Sequence, residues 1–341
     1  MKLNDYTVRL CRKEEYDKLI AFLHDYWNPN HVFCRNKEIF EFQHGEGENG
    51  TYDFVIAVNN ETQDIHAVLG FIRLSQYSNK FKNNEKVIYG ALWKARNDVK
   101  DKESGKLGLA VLQYLMHSYP DCIYATLGLS LDSQMVYKGL HFNFGKMNHY
   151  YIASRYCDKF LIAENPFVNK QPNINNEYSI KEIKKIPQGF DPYYYPEKDE
   201  EYVRNRYLNH PYYHYRLIGI FRKDELFSVW IIRDVEVENS KCLRIVDVLG
   251  NIGEIKDING NIQEFLKENE AEYIDCYNHG IDEGCFVNMG FRIKGEDEII
   301  PNYFEPFEKR NVDIFYAYSG NKEIVIFRAD GDQDRPNLLG I

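Results

Sequence analysis

The feature that most constrains the fold is an internal repetition. VYKGLHF at 136–142 returns in altered form as FVNMGF at 286–291, and aligning Phe142 with Phe291 sets Tyr137 opposite Phe286. Each copy closes the same succession of elements. In the first, TVRLCR (7–12) reads as a strand, and KEEYDKLIAFLHDYW (13–27) places Tyr16, Leu19, Ile20, Leu23 and Tyr26 at helical spacing. YDFVIAV (52–58) and HAVLGFIRLSQY (66–77) read as strands around the turn-like NNETQD, and KVIYGALWKA (86–95) as a further strand. The polar DVKDKESGKLG (98–108) leads into the helical LGLAVLQYLMHSY (107–119), and DCIYATLGLS (121–130) is again a strand. From residue 178 the order restarts with YSIKEIKKI, a hairpin of YRLIGIF (215–221) and LFSVWIIRDVEV (226–237), the strand CLRIVDVLG (242–250), the helix NGNIQEFLKENEAE (259–272) and the strand YIDCYNHG (273–280). The Asn- and Pro-rich ENPFVNKQPNINNE joins the halves. The expected layout is α/β (α+β): an N-terminal domain over 1–163, a linker over 164–177 and a C-terminal domain over 178–341. Each domain is a mixed central sheet flanked by helices.

Composition narrows the partners. With 44% hydrophobic and 28% charged residues, 341 residues suit two globular domains with real cores. A net charge of −10 argues against nucleic acid, which draws clustered Lys and Arg. No run approaches the roughly eighteen apolar residues of a bilayer span. The opening MKLNDYTVRLCRKEEYD lacks the apolar core of a signal peptide. No membrane partner is expected, and the cytoplasm is the expected compartment. The seven cysteines are odd in number and form no CxxC pair, so neither a disulfide framework nor a metal site is expected.

The two copies differ where chemistry is expected. Trp93 to Phe142 spans 49 residues (142 − 93), whereas Leu249 to Phe291 spans 42 (291 − 249). The shorter copy has lost the Gly-Lys-Leu-Gly stretch and the phenolic hydroxyl. SGKLGLAVLQYLM (104–116) puts two glycines at a strand-to-helix junction. There, free amides and the helix dipole favour an anion, and Lys106 can add a point charge. The segment is neither a P-loop nor a GxGxxG fingerprint. Alone, it reads equally well as a helix start with no ligand.

Strand, glycine loop, amphipathic helix, strand, then Tyr-x-x-Leu-x-Phe resembles the GNAT superfamily of acyl-CoA transferases. That resemblance implies a pyrophosphate loop, Gln/Arg-x-x-Gly-x-Gly/Ala, opening the central helix. It also implies an acyl-pantetheine lying beside the preceding strand, and a tyrosine past the next strand that protonates the leaving thiolate. Gly108 matches the final glycine of the loop and Leu107 precedes it. Lys106 stands at the usual first glycine, Glu103 at the usual Gln or Arg, and Gly105 offers another turn. Leu92, Trp93 and Lys94 fall on the cofactor-flanking strand, and Leu109 follows the loop. Tyr137 matches the acid, and Leu140 and Phe142 match the tail of the motif, with His141 replacing its glycine.

More narrowly, the whole chain resembles bacterial tandem-GNAT sugar N-acyltransferases. The likeness rests on HDYWNPNH (24–31), ALW (91–93), YKGLHFNFGKMNHYY (137–151), YLNHPYYHY (207–215), EYIDCYNHG (272–280) and DGDQDRPN (330–337). It implies coenzyme A, as acetyl- or 3-hydroxybutanoyl-CoA, for the donor. The acceptor it implies is a nucleotide-linked amino sugar of the dTDP-3-amino-3,6-dideoxyhexose type, made for O-antigen or another surface glycan.

Amine attack on a thioester needs a free amine, a polarised carbonyl and a proton for the thiolate. Tyr137 is the expected proton donor, with a core tyrosine as the other reading of the same residue. His31 and Asp98 are candidate bases, and a water-relayed base fits as well. His24 and Trp27 lie where an acceptor is expected. From the second copy, His210, Tyr212, Asp247, Tyr277 and Asn278 are candidate acceptor contacts or inter-domain packing, and Arg335 offers a fork for a diphosphate. Two other readings remain open. One is an aminoacyl-tRNA-dependent transferase of the peptidoglycan-bridge type, which the acidic charge disfavours. The other is a non-catalytic nucleotide- or peptide-binding module. Oligomeric state is not legible.

Overall fold

The computed structural model describes residues 3–100, 102–237, 239–337 and 339. Its first half carries β1 (Tyr6–Arg12), α1 (Tyr16–Tyr26), α2 (Val32–Arg35), α3 (Lys37–His44), β2 (Thr51–Asn59), β3 (Ile65–Arg73), β4 (Val87–Ala95), α4 (Leu107–Ser118), β5 (Ile123–Leu127), α5 (Leu131–Gly139), β6 (Asn143–Lys146) and β7 (Asn148–Ala153). The second half follows with β8 (Tyr178–Ile183), α6 (Glu200–Val203), β9 (Tyr215–Arg222), β10 (Glu225–Val237), β11 (Ser240–Leu249), α7 (Asn259–Glu268), β12 (Tyr273–His279), α8 (Glu283–Met289), β13 (Arg292–Ile293), β14 (Tyr303–Phe304), β15 (Phe307–Glu308), β16 (Phe315–Tyr318) and β17 (Ile326–Phe327). A mixed sheet flanked by helices is built twice. Sequence periodicity did not announce α3; Asn36 starts it by accepting the amide of Ile39 at 3.1 Å.

The first sheet runs β1-β2-β3-β4-β5-β16-β6 and the second β13-β7-β12-β11-β10-β9-β8. In each, one parallel pair is joined by a crossover helix: β4 and β5 by α4, β11 and β12 by α7. The sheets exchange a strand. β7 leaves the first half and pairs with β12 from Tyr273↔Ala153 to Asn278↔Asn148. From the far end of the chain, β16 returns to lie between β5 and β6. The step between sheets is taken at Met147, which is buried. Sheet membership therefore does not follow the linker at 164–177. Asn and Pro mark where chain can run irregularly, and say nothing of where the flanking strands find partners.

The first sheet has two covered faces. Leu19, Phe22, Leu23, Phe33 and Phe40 from α1–α3 pack on Tyr52, Phe54, Ile56, Val68 and Leu92. Leu107, Val111, Leu115 and Tyr137 from α4 and α5 pack on Val55, Leu69, Phe71, Ile88 and Tyr124 on the opposite face. Between the sheets, Val87, Tyr89, Ala125 and Leu127 meet Leu217, Val229, Ile231, Val246 and Tyr277 in one shared core. No described helix is long and apolar enough to cross a membrane.

Candidate active site

β4 and β5 part company within the first sheet. Their pairing runs from Val87↔Ile123 to Gly90↔Thr126, while β4 continues to Ala95. A bulge helps it diverge: Phe71 pairs with Gly90 and Leu69 with Trp93, so β4 takes three steps against two on β3. At the fork the Tyr124 hydroxyl stands where a Gly90 side chain would be, so only glycine fits. The Tyr124 and Tyr137 hydroxyls are 2.8 Å apart, and Thr126 Oγ1 donates to the Gly90 carbonyl at 3.3 Å. The Trp93 ring lies 5.4 Å from that of Tyr137. Tyr137 is 1% exposed, and burial, then Tyr124, pushes its phenol well above the ordinary range. Burial pushes Tyr124 up to about 12. Both hydroxyls keep their protons at neutral pH.

The glycine loop sits beside this fork. A 3-10 turn at Ser104–Lys106 precedes α4 and already uses the amides of Lys106 and Leu107, bonded to the carbonyls of Glu103 and Ser104. The open end of the helical column is thereby moved back toward Gly105, which has free space where a side chain would stand. Gly108 lies against Trp93, whose Nε1 donates to its carbonyl at 3.0 Å. Leu92 and Leu107 are buried, Lys94 is half-buried and Lys106 exposed. An open glycine, a lysine and a helix N-terminus beside a splayed strand suit the pyrophosphate and pantetheine of a coenzyme A donor. Glu103 takes another role, accepting from the amides of Asn4 and Asp5.

The second sheet repeats the fork and fills it. Pairing of β11 with β12 ends at Ile245↔Cys276. Beyond that point β17 takes the edge β11 has vacated, pairing Ile326 with His279 and Phe327 with Asn278. The Asn278 side chain is used in the closure, donating to the Ile326 carbonyl at 3.3 Å and accepting from Ile281 N at 3.1 Å. Asp247 is likewise enclosed, held by Lys198 at 2.7 Å and Tyr207 Oη at 2.6 Å. Tyr277 stacks on His149 at 3.9 Å between the sheets.

From β17 the tail runs along the seam to the first sheet. Gly331 abuts Leu127, and the Gln333 amide lies against Gly128 at the end of β5. Arg335 then reaches His31, its Nη2 2.9 Å from Nε2. Guanidinium only donates, so Nε2 accepts; burial, then Arg335, pushes this imidazole down to about 2. A cavity of about 160 Å³ opens here, lined by Tyr213, Arg233, Arg244, Arg328 and Arg335 among others.

The structure thus gathers Tyr137, Trp93 and the glycine loop on one face of the first sheet, and His31 and Arg335 at a separate place where the tail reaches the first half. His210 stacks on Tyr213, which lines the cavity, and Tyr212 donates to Glu38 at 2.6 Å. His24 is exposed beside Asp25, and Trp27 is 41% exposed. Asp98 is exposed and gripped by Arg96 at 2.7 Å, away from the cavity lining. No group of described residues is arranged to hold a metal. Sequence reasoning missed Tyr124, Thr126, Arg233, Arg244 and Arg328. For Arg233 and Arg244 a signal existed: each interrupts an apolar strand, and the two face each other across the β10–β11 ladder.

No protein-family model matches this sequence, and no curated protein matches it either. Among solved structures, the chain is similar to a GCN5-related N-acetyltransferase from Anabaena variabilis, with 12% identity and a TM-score of 0.51 over 91% of this chain and 72% of that one. It is also similar to an Enterococcus faecalis protein of unknown function described as a probable N-acyltransferase, with 8% identity and a TM-score of 0.52 over 85% and 70% of the chains. At such identities the likeness concerns the fold, which is GNAT-like over most of the chain.

Proposed function

We propose that the protein is an acyl-CoA-dependent N-acyltransferase acting on a nucleotide-linked amino sugar. The observation that carries this reading is the asymmetry of the two forks: the second is closed by the chain's own β17, and the first is edged by hydroxyls and a glycine loop. The first half (1–163) would hold the donor, and the second half (178–341), with its tail, the acceptor. In the reaction a C–N bond forms as the C–S bond breaks. Backbone amides along β4 beyond Gly90 would polarise the carbonyl. Tyr137, protonated and backed by Tyr124, would give the thiolate its proton, and the proton that the amine nitrogen sheds would leave through water. The acyl group is acetyl or 3-hydroxybutanoyl. A dTDP-3-amino-3,6-dideoxyhexose bound for a surface glycan is the acceptor type, handled in the cytoplasm.

The test is thiol release from acetyl-CoA and 3-hydroxybutanoyl-CoA across a panel of nucleotide-linked amino sugars. Release with at least one pair is expected. No release with any pair, together with no acyl-CoA binding, would remove the reading. Tyr137→Phe is expected to lower turnover about a hundredfold, the low end for a lost proton transfer, with donor affinity little changed. Unchanged turnover would return Tyr137 to the core.

A further inference from the structure

The seam cavity draws four arginines from three places: Arg233 on β10, Arg244 on β11, and Arg328 and Arg335 on the tail. Three have a carboxylate of their own. Arg244 grips Asp275 through two bonds of 3.0 and 2.9 Å, Arg233 meets Asp334 at 2.9 Å, and Arg335 pairs with Asp332. Glu305, which also lines the cavity, is engaged by Tyr213 Oη and the Asn337 amide, each at 2.6 Å.

Arg328 is the exception. It is 8% exposed, and its hydrogen bond is one from Nη2 to the Asn302 carbonyl at 2.9 Å. Asp334, already shared by Arg233 and Tyr215, stands 3.8 Å from its Nε. Nε and Nη1 have no hydrogen-bond partner among the described residues, and the Nε atoms of Arg233 and Arg335 also lack one. Burial, then Arg244 alongside, lowers the Arg328 guanidinium to about 10, so it remains charged at neutral pH. A buried cation that shares its one carboxylate with a second arginine is only partly neutralised, which is costly unless something supplies further negative charge. Here Arg328, Arg233 and Arg335 all line a cavity.

We infer that Arg233, Arg328 and Arg335 form a phosphoryl-binding site at the seam, completed by the negative charge of the ligand, with Arg244 behind them held by Asp275. Guanidinium groups arriving from β10 and from two points of the tail suit a tetrahedral oxyanion that accepts on several oxygens; a planar carboxylate is filled by one fork. The size agrees. At about 160 Å³ the cavity holds several waters, room for a phosphate- or diphosphate-sized anion. The inference stands on the cavity alone. It rests on the transferase reading only in naming the diphosphate of a nucleotide-linked acceptor as the occupant.

The experiment uses the full chain with pyrophosphate and inorganic phosphate as probes, by calorimetric titration and thermal unfolding at matched ionic strength. Saturable binding and a rising unfolding temperature are expected for the natural protein. Arg328→Met is expected to weaken pyrophosphate at least about tenfold, the scale of a lost charge-assisted hydrogen bond. Without anion it should unfold at the same or a higher temperature than the natural protein, because it removes a charge that has no carboxylate of its own. Should Arg328→Met fail to fold, Arg335→Met carries the same binding test. Absence of probe binding, equal binding by the variants, or equal protection by acetate would overturn the assignment. Acyl-CoA binding is measured on the same samples. Protein that binds pyrophosphate but no acyl-CoA keeps this site and loses the transferase reading; the reverse result loses this site alone.

Discussion

Asp275→Asn is expected to destabilise the fold by about 3–5 kcal/mol, the scale of breaking a buried ion pair from one side. Asp275 is fully buried in the middle of β12. It holds Arg244 of β11 through two bonds and His149 of β7 at 2.9 Å. One carboxylate therefore ties the exchanged strand to its host sheet and neutralises an arginine that is itself fully buried. Burial works against its charged form, but Arg244 and His149 outweigh it and hold the carboxyl well below the usual carboxylate range. The substitution keeps the shape and strands Arg244, since the carbonyls of Pro301 and Asn302 offer dipoles and no charge. Urea unfolding followed by tryptophan fluorescence checks this. Combining Asp275→Asn with Arg244→Met should recover much of the loss, because both charges are then gone. A midpoint that Asp275→Asn leaves in place would mean that Arg244 finds another anion or water. Asp98→Asn, in an exposed ion pair with Arg96, serves as the control and should not move it.

The element order of both halves was legible because it rests on local periodicity. KVIYGALWKA, LGLAVLQYLMHSY and DCIYATLGLS could scarcely be anything but strand, helix, strand, and a crossover of that length makes β4 and β5 parallel. The placing of Tyr137 beside the fork follows from that order and the aligned FVNMGF copy. The strand exchange was not legible. NHYYIA reads as a strand in either sheet, and its choice of β12 is a pairing more than a hundred residues away in sequence. Nor was the burial of DGDQDRPN, whose three aspartates are polar in any local reading. Asp330 and Asp334 are each 1% exposed, and what permits this is Lys198, Tyr215 and Arg233, supplied by other parts of the chain. Local sequence carries the propensity of a segment. It does not carry the distant partner that makes burying a charge tolerable.

Lowering the pH from 7.5 to 5.5 is expected to remove about 3 kcal/mol of stability in net, chiefly through three histidines buried as neutral rings. Arg335 donates to His31 Nε2. His44 Nδ1 donates to the Phe71 carbonyl at 2.9 Å, in a fully buried site facing Arg335. His210 Nδ1 accepts from the amides of Tyr212 and Tyr213, with Arg206, Arg233 and Asp334 around it. Burial is the first cause in each case, and it pushes His31 to about 2, His44 to about 3 and His210 to about 3. The unfolded chain takes up a proton on each below about 6.5 while the folded chain does not, so stability is present above that value and drains as pH falls. At pH 5.5 each ring costs about 1.4 kcal/mol, whatever its folded value, provided that value lies well under 5. Asp330 works the other way: burial raises it to about 6 against the pull of Lys198, and its earlier protonation returns about 1 kcal/mol. The histidines prevail. Against a usual total of about 5–15 kcal/mol, the urea midpoint should fall plainly between the two pH values. His44→Gln should shrink the pH-dependent drop by about 1.4 kcal/mol. Equal midpoints at pH 7.5 and 5.5 would mean that these rings take up protons in the fold, with His31 turning away from Arg335 and His210 releasing its two amides.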